Sequence, residues 1–215
     1  MMKTNRIIFL SPHTDDSELG SGGTISKMVE NGADVWVVAF SKCEKSIKNS
    51  GLTDSKTLVS EFHNSMDVLG VAENRRITLD FEVREFQRDR QLLLDNMIKI
   101  SKEISPDTVV FPSKSDIHQD HSSVYLEAMR TFKNCSMWCY EMIWNNFGFD
   151  PNMFISLNSS QIEKKIAALS CYDSQKHTLK KGYFNDSFIR GLAVARGIQC
   201  GCDFAESFEA IRIIW

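Results

Sequence analysis

Two short clusters, each combining imidazole and carboxylate side chains just after an apolar run, are the part of this chain best suited to chemistry. Their members are His13, Asp15 and Asp16 in the first cluster and His118, Asp120 and His121 in the second. Catalytic zinc sites take three protein ligands from such side chains and keep a fourth position for water. The two clusters therefore predict a metal site with a base beside it.

The spacing within the clusters suggests individual roles. His13 and Asp16 are three residues apart on a predicted turn, so both could face one ion, and His121 could supply the third ligand. Asp15 would then stay uncoordinated and could accept a proton from metal-bound water, whose pKa such an ion lowers to about 7. A His/Asp/His ligand set suits zinc but also accepts iron(II) or cobalt.

The other two members of the second cluster would act around the reacting bond. As an imidazolium, His118 could stabilise an oxyanion or protonate a leaving amine. Asp120 could hold an imidazole in the required tautomer through a hydrogen bond.

Each residue also has a simpler interpretation. The Asp15–Asp16 pair could cap the helix that follows, and a single histidine near a strand end is commonly a surface side chain. Two clusters that each combine histidine and aspartate after a strand favour the metal site. His63 and His177 have no comparable carboxylate neighbours, and no role is assigned to them.

Apolar runs that alternate with helical patterns must position these clusters. The predicted strands cover residues 7–10, 34–40, 77–81, 107–111, 137–143 and 154–157. The predicted helices cover residues 20–31, 57–69, 91–104, 122–132, 160–175 and 186–199. The final apolar run, 210–215, is expected to be an edge strand or a packing tail.

This alternation predicts βαβ units, and hence an α/β fold with a mainly parallel sheet and helices on both faces. We expect one domain over residues 1–215. Both clusters follow predicted strands, and the carboxyl ends of parallel strands are where sites form in open α/β sheets.

Composition excludes several other classes. Hydrophobic residues make up 42% and charged residues 25% of the chain, which is ordinary for a globular protein. The net charge of −3 offers no basic surface for nucleic acid or anionic lipid. The amino-terminal apolar run is too short for a signal-peptide core or a membrane span, so a cytoplasmic protein is expected, with its six cysteines as reduced thiols.

Three further segments have ambiguous patterns. The glycine-rich run 20–24 lacks the order of a nucleotide-binding loop, and close helix packing is its expected role. The polar segment 42–56 could be a lid or a plain solvated loop. The aromatic stretch 144–149 could line a cleft, form an oligomer surface or belong to the core.

The motifs themselves resemble those of a known family. The run Ser11-Pro12-His13-Thr14-Asp15-Asp16, then Leu19-Gly20-x-Gly22-Gly23-Thr24-Ile25, and later His118-x-Asp120-His121, is similar to the LmbE-like (PIG-L) family of zinc-dependent N-deacetylases. The resemblance continues through most of the chain, including Tyr172-x-Ser174-Gln175 and Ala195-Arg196-Gly197.

The resemblance implies a Rossmann-like α/β fold and removal of acetyl groups from N-acetylglucosamine-type sugars, free or conjugated. By motif position, it implies that His13, Asp16 and His121 bind zinc and that Asp15 is the general base. It implies that His118 stabilises the oxyanion and that Asp120 orients a histidine. Relatives are often oligomeric, so self-association into a homo-oligomer is also expected.

Four positions depart from the family pattern. Thr14 replaces the usual Pro, Ser17 the usual Glu, Leu58 a common Arg and Tyr172 a common His. None of the four is an expected ligand, so the metal site should survive. Without the Arg at position 58, this chain must recognise its substrate differently.

The hypothesis is therefore a zinc-dependent hydrolase that removes an N-acetyl group from an amino sugar or its conjugate. One alternative is a zinc amidase that acts on a larger thiol or glycan conjugate. A second alternative is a non-catalytic sugar-binding protein on the same scaffold.

Overall fold

A seven-stranded sheet lies at the centre of the computed structural model, which describes residues 5–43, 57–178 and 180–214. The strands are β1 Arg6–Ser11, β2 Asp34–Ala39, β3 Arg76–Thr78, β4 Thr108–Pro112, β5 Ser136–Tyr140, β6 Met153–Leu157 and β7 Phe204–Arg212. Their order is β3-β2-β1-β4-β5-β7-β6, and β7 alone among them runs antiparallel to its neighbours. The predicted α/β fold with a mainly parallel sheet is confirmed.

Helices cover both faces of this sheet. They are α1 Asp16–Glu30, α2 Thr57–Leu69, α3 Arg90–Ile104, α4 Gln119–Thr131, α5 Ser159–Ser170 and α6 Asp186–Cys200. One buried apolar cluster joins one sheet face to α1, α2, α5 and α6, and the other joins the opposite face to α3 and α4. No helix in the described part of the chain is long and apolar enough to cross a membrane.

Strand β1 shows why both faces must be covered. Ile7 and Phe9 belong to one apolar cluster and Ile8 and Leu10 to the other, and all four side chains are fully buried. Successive residues of a strand point to opposite faces, so a continuous apolar run requires a layer on each side.

The strand order reverses direction between β1 and β4. From β1 the chain moves outward to β2 and β3, then returns to place β4 on the other side of β1. A crevice forms outside the carboxyl ends of the strands at such a switch point. The two histidine–aspartate clusters follow these two strands, so the topology brings them to the same crevice.

The helices that follow the clusters begin earlier than predicted. Helix α1 begins at Asp16 rather than at residue 20, and α4 begins at Gln119 rather than at residue 122. The first turns are rich in polar residues that line or support the site, so they lack the apolar periodicity from which a helix is predicted. Cluster residues are therefore held on rigid helical turns.

The carboxyl-terminal part differs most from the prediction. The predicted helix 160–175 ends at Ser170, and a π-helical turn, Ser174–Thr178, follows it. The last strand is Phe204–Arg212, and it lies between β5 and β6, so the expectation of an edge strand or tail was wrong. The buried Glu206 and the half-buried Glu209 interrupt the apolar pattern of this strand. Of the predicted loop 42–56, residues 44–56 lie outside the described residues.

Candidate active site

A cavity of about 490 Å³ is lined by the loops that follow β1 and β4. This volume is within the range of small-molecule sites. Five of the six cluster residues line it: His13, Asp15, Asp16, His118 and His121. The sixth, Asp120, is fully buried behind them.

Three donor atoms from the two clusters form a compact triangle. His13 Nδ1 lies 3.1 Å from Asp16 Oδ2, and His121 Nε2 lies 3.2 Å from the same oxygen. The two imidazole nitrogens are 3.4 Å apart. Ligand atoms around a tetrahedral zinc ion with bonds of about 2.1 Å lie roughly 3.4 Å apart, so this set fits a divalent metal.

His118 offers a second way to complete a metal site. One nitrogen from each of His13, His118 and His121 lies within 4.8 Å of the others. The set that includes Asp16 is the tighter one, and it supplies a negative charge to the ion. In addition, His118 Nδ1 accepts a hydrogen bond from the Asp120 backbone N–H at 3.2 Å. We therefore favour the set predicted from the sequence.

Two carboxylates hold the imidazoles from behind. Asp120 Oδ2 lies 3.0 Å from His13 Nε2, and its role in orienting a histidine stays a prediction. Asp116 Oδ2 lies 2.6 Å from His121 Nδ1, a contact to which no function was assigned from the sequence. Each carboxylate fixes a histidine so that its other nitrogen faces the triangle.

The charges of the triangle stabilise one another. Burial alone would lower the pKa of both imidazoles, but the Asp16 charge and hydrogen bonds to Asp16, Asp120 and Asp116 raise it, to about 10 for His13 and about 9 for His121. Burial would raise the pKa of Asp16, but the charges of His121 and His13 hold it well below its usual range. The Asp16 carboxylate is thus ionised.

Asp15 does not have the simpler role of a helix cap. It occupies the N-cap position of α1, but its side chain forms no capping hydrogen bond. The carboxylate lines the cavity instead. Burial raises its pKa, and the nearby Lys181 charge opposes that rise. A carboxylate with a raised pKa beside a metal site suits proton transfer.

The surroundings of His118 favour a neutral ring over an imidazolium. Burial and the charges of His13 and His121 lower its pKa to about 4. Because Nδ1 accepts the Asp120 N–H, the single proton of the neutral ring lies on Nε2. A neutral His118 would be an N–H donor at Nε2, whereas the role inferred from the sequence assumed an imidazolium.

Three of the departures from the family pattern meet beneath the loop that carries the first cluster. The Tyr172 hydroxyl contacts the Thr14 carbonyl oxygen and lies 2.6 Å from Glu18 Oε1. The Ser17 hydroxyl donates to Glu18 Oε2 at 2.7 Å. Tyr172 and Glu18 are fully buried, and burial raises the pKa of Glu18 to about 7. Ser17, Glu18 and Tyr172 support the loop from below and do not line the cavity, whereas Thr14 does.

The remaining wall of the cavity contains residues that no motif marked. Arg84 and Lys181 line it, as does Leu58, the fourth departure. Trp144 from the aromatic stretch lines it too, and its ring stacks on Tyr183 with centroids 4.2 Å apart. The cleft interpretation thus holds for Trp144, whereas Phe147 is 82% exposed.

With the geometry established, comparison with known proteins identifies the family. The family model described as GlcNAc-PI de-N-acetylase (PIG-L) matches residues 8–132, which is more than half of the chain. The chain belongs to the PIG-L family. The resemblance inferred from the motifs is confirmed, and with it the expectation of an N-deacetylase family.

Curated relatives of this PIG-L chain support the same family. It is 24% identical over 176 residues to the uncharacterized deacetylase YaiS of Escherichia coli, covering 80% of this chain and 92% of YaiS. It is also 24% identical over 233 residues to diacetylchitobiose deacetylase of Thermococcus kodakarensis, covering 96% and 83% of the two chains.

Solved structures share the fold of this PIG-L chain. N,N'-diacetylchitobiose deacetylase from Pyrococcus horikoshii aligns with a TM-score of 0.79 and 21% identity, over 97% of this chain and 84% of that one. GalB, the 4-carboxy-2-hydroxymuconate hydratase of Pseudomonas putida, aligns with a TM-score of 0.78 and 18% identity, over 98% of each chain. The same fold therefore hosts more than one reaction, so the activity must be argued from the site.

Proposed function

We propose that this protein is a metal-dependent N-deacetylase that hydrolyses the acetamide of an N-acetylated amino sugar or its conjugate. The proposal rests on the triangle of donor atoms from His13, Asp16 and His121. The Asp15 carboxylate lies in the same cavity and forms no helix-capping hydrogen bond. The family and the deacetylase relatives support it.

The donor set suits zinc first, with iron(II) and cobalt(II) also acceptable to two imidazoles and a carboxylate. His13, Asp16 and His121 would hold the ion. When bound, a divalent ion polarises the amide carbonyl and favours deprotonation of water at neutral pH. Asp116 and Asp120 keep the two histidines oriented by accepting their second N–H groups.

Asp15 moves the proton in this mechanism. Its carboxylate oxygen takes a proton from the attacking water and later donates it to the departing amine nitrogen. Burial in the cavity raises the pKa of Asp15, which helps the carboxyl group to hold that proton between the two steps.

His118 acts on the carbonyl side. Its neutral ring has the proton on Nε2, so it can donate a hydrogen bond to the carbonyl oxygen as negative charge develops there. Its backbone N–H donates to Asp116 Oδ1 at 2.8 Å, and its ring caps α4, so the donor is held in place before substrate binds.

The test is acetate release from N-acetylglucosamine and from diacetylchitobiose by zinc-loaded protein. We expect release that stops on chelation and recovers on addition of zinc. The Asp15→Asn variant should lose about 10²–10⁴-fold in kcat, the contribution of a positioned general base. The control is Asp95→Asn, an exposed carboxylate on α3, which should retain full activity.

Two results would contradict the proposal. Near-normal kcat in Asp15→Asn would remove the assigned base. A protein that binds one zinc ion yet releases no acetate from free or conjugated N-acetyl amino sugars would not be a sugar deacetylase.

A further inference from the structure

We propose that Arg84 and Lys181 form an anion subsite in the cavity, so that the substrate is an N-acetylated amino sugar bearing a phosphate or carboxylate group. The identity of the sugar rests on the proposed function, whereas the subsite rests on the geometry of the cavity. Neither residue belongs to a motif found in the sequence.

The Arg84 backbone is fixed to the second cluster. Its φ is 71°, in the left-handed region that is unfavourable for a residue with a Cβ. Its N–H donates to Asp120 Oδ2 at 2.7 Å, and its carbonyl accepts from Gln119 Nε2 at 2.6 Å. Because Asp120 also binds His13, the backbone of Arg84 is tied to a proposed metal ligand while its side chain lines the cavity. An unfavourable conformation that is held in this way commonly marks a functional position.

Lys181 reaches the cavity from a separate segment, just before the 3-10 turn Gly182–Phe184. Its ammonium lies 5.6 Å from the Tyr183 ring centroid, and Tyr183 stacks on Trp144. Burial would lower the pKa of Lys181, but the Asp15 charge raises it, so the side chain stays charged.

Within the part of the chain that the structure describes, no carboxylate forms a close ion pair with either cation, although the Asp15 charge acts on Lys181. The neighbouring arginine, Arg88, differs: it pairs with Asp89 at 2.8 Å and approaches Glu82 and Glu85. In the cavity, Asp16 is already engaged with two histidines. The exposed Arg84 and the half-buried Lys181 provide charge-assisted hydrogen bonds for phosphate or carboxylate oxygens, and a guanidinium can bind such groups through two parallel bonds.

The other polar side chains of the wall include the neutral amides of Asn145 and Gln175, which carry no charge with which to select an anion. Leu58 and Val83 are apolar and buried, and the rings of Trp144 and Tyr183 stack on each other. The arginine and lysine therefore provide most of the discrimination between a charged and a neutral substituent at this wall.

The experiment measures binding to the zinc-loaded, inactive Asp15→Asn protein by calorimetry. The probes are N-acetylglucosamine, its 1-phosphate, its 6-phosphate and N-acetylmuramic acid, which place a charge at different positions of one sugar. We expect at least one anionic sugar to bind about tenfold or more tightly than N-acetylglucosamine, the gain typical of one or two charge-assisted hydrogen bonds.

Substitutions distinguish anion binding at the Arg84 and Lys181 subsite from anion binding at the metal. In the same background, Arg84→Met and Lys181→Met should each reduce the anionic preference, and together they should bring it below about threefold. The matched controls are Arg88→Met and Lys180→Met, which remove a charge from an exposed neighbouring residue outside the cavity and should keep the preference.

Equal affinity for the neutral sugar and all three anionic sugars would overturn the inference. A preference that survives the double substitution would also overturn it, because the metal would then be holding the anion. Acetate release by the native enzyme is measured separately. A preference for anionic sugars without acetate release would support the anion subsite and contradict the proposed deacetylase activity. Acetate release without such a preference would support the deacetylase activity and contradict the subsite.

Discussion

At the scale of single residues, the candidate site consists of two layers of polar side chains. The inner layer offers its donor atoms to a metal, and the outer layer, Asp116 and Asp120, accepts the remaining imidazole N–H groups. An imidazole that could rotate would present its lone pair in many directions. The outer carboxylates remove that freedom before the ion arrives.

This arrangement predicts the effect of weakening the outer layer. Asp116→Asn keeps the shape and the acceptor for the His118 backbone N–H, but it replaces the charged partner of His121. We expect zinc affinity to fall by about 10–100-fold, measured by competition with a chromophoric chelator. Asp95→Asn should bind zinc as the native protein does. If Asp116→Asn bound zinc equally well, His121 would not be a ligand oriented by that carboxylate.

How much of the site the sequence predicts depends on whether residues are close along the chain. His13, Asp15 and Asp16 could be grouped because they share one turn, and the second cluster could be grouped for the same reason. Arg84 and Lys181 reach the cavity from loops with no local pattern, so only the folded structure places them there. The lowered pKa of His118 could not be predicted from the sequence either, since it depends on burial and on charges from another loop.

At the scale of elements, α1 matters because it both begins in the site and packs closely on the sheet. A Cβ at Gly20 would lie 2.5 Å from the ring of Tyr140, whose hydroxyl donates to the Leu10 carbonyl at 3.1 Å. The predicted role of the glycine-rich run, close helix packing, agrees with these distances. The ring is fully buried and held at both ends, so it has little room to move.

Gly20→Ala should therefore destabilise the protein, although alanine is the better helix former. We expect a loss of about 1–3 kcal/mol in the free energy of unfolding, as for overpacking of a core. The matched control is Gly191→Ala on α6, where nothing lies within 4 Å of the added Cβ. That variant should gain up to about 1 kcal/mol from helix propensity. Urea denaturation measures both, and equal effects in the two variants would refute the close-packing argument.

Elements were predicted well wherever apolar periodicity extended to their ends. Helix α2 has the bounds expected from the sequence, because its apolar residues repeat from Leu58 to Leu69. The starts of α1 and α4 were missed because functional polar residues occupy their first turns. At these positions, the requirements of the site outweigh the pattern from which a helix is predicted.

At the scale of the whole molecule, β7 links the carboxyl-terminal segment to the first helix. Glu206 on β7 accepts the backbone N–H groups of Gly23 and Thr24 at 3.0 and 2.6 Å. It also pairs with the buried Lys165 of α5 at 2.6 Å. One carboxylate thus joins elements from the beginning, middle and end of the chain.

Removing the Glu206 carboxylate should strongly destabilise the folded protein. In Glu206→Ala, the Lys165 ammonium stays buried without its partner, and we expect a loss of about 3–5 kcal/mol in the free energy of unfolding. Glu163→Gln breaks an exposed pair with Arg190 instead and should cost no more than about 1 kcal/mol. Thermal and urea unfolding of both variants provide the comparison, and a loss below about 1 kcal/mol in Glu206→Ala would contradict the argument.

The position of β4 beside β1 has a consequence for the order of events when the chain is made. With the ligand set proposed above, a nascent chain that ends before β4 would have only the His13 and Asp16 donors, a weak two-point chelate. The third donor, on His121, comes into place only when the chain returns across the sheet to pair β4 with β1. Strong capture of a metal ion must therefore wait for this distant strand pairing, so the ion cannot nucleate the folding of the first strands and helices.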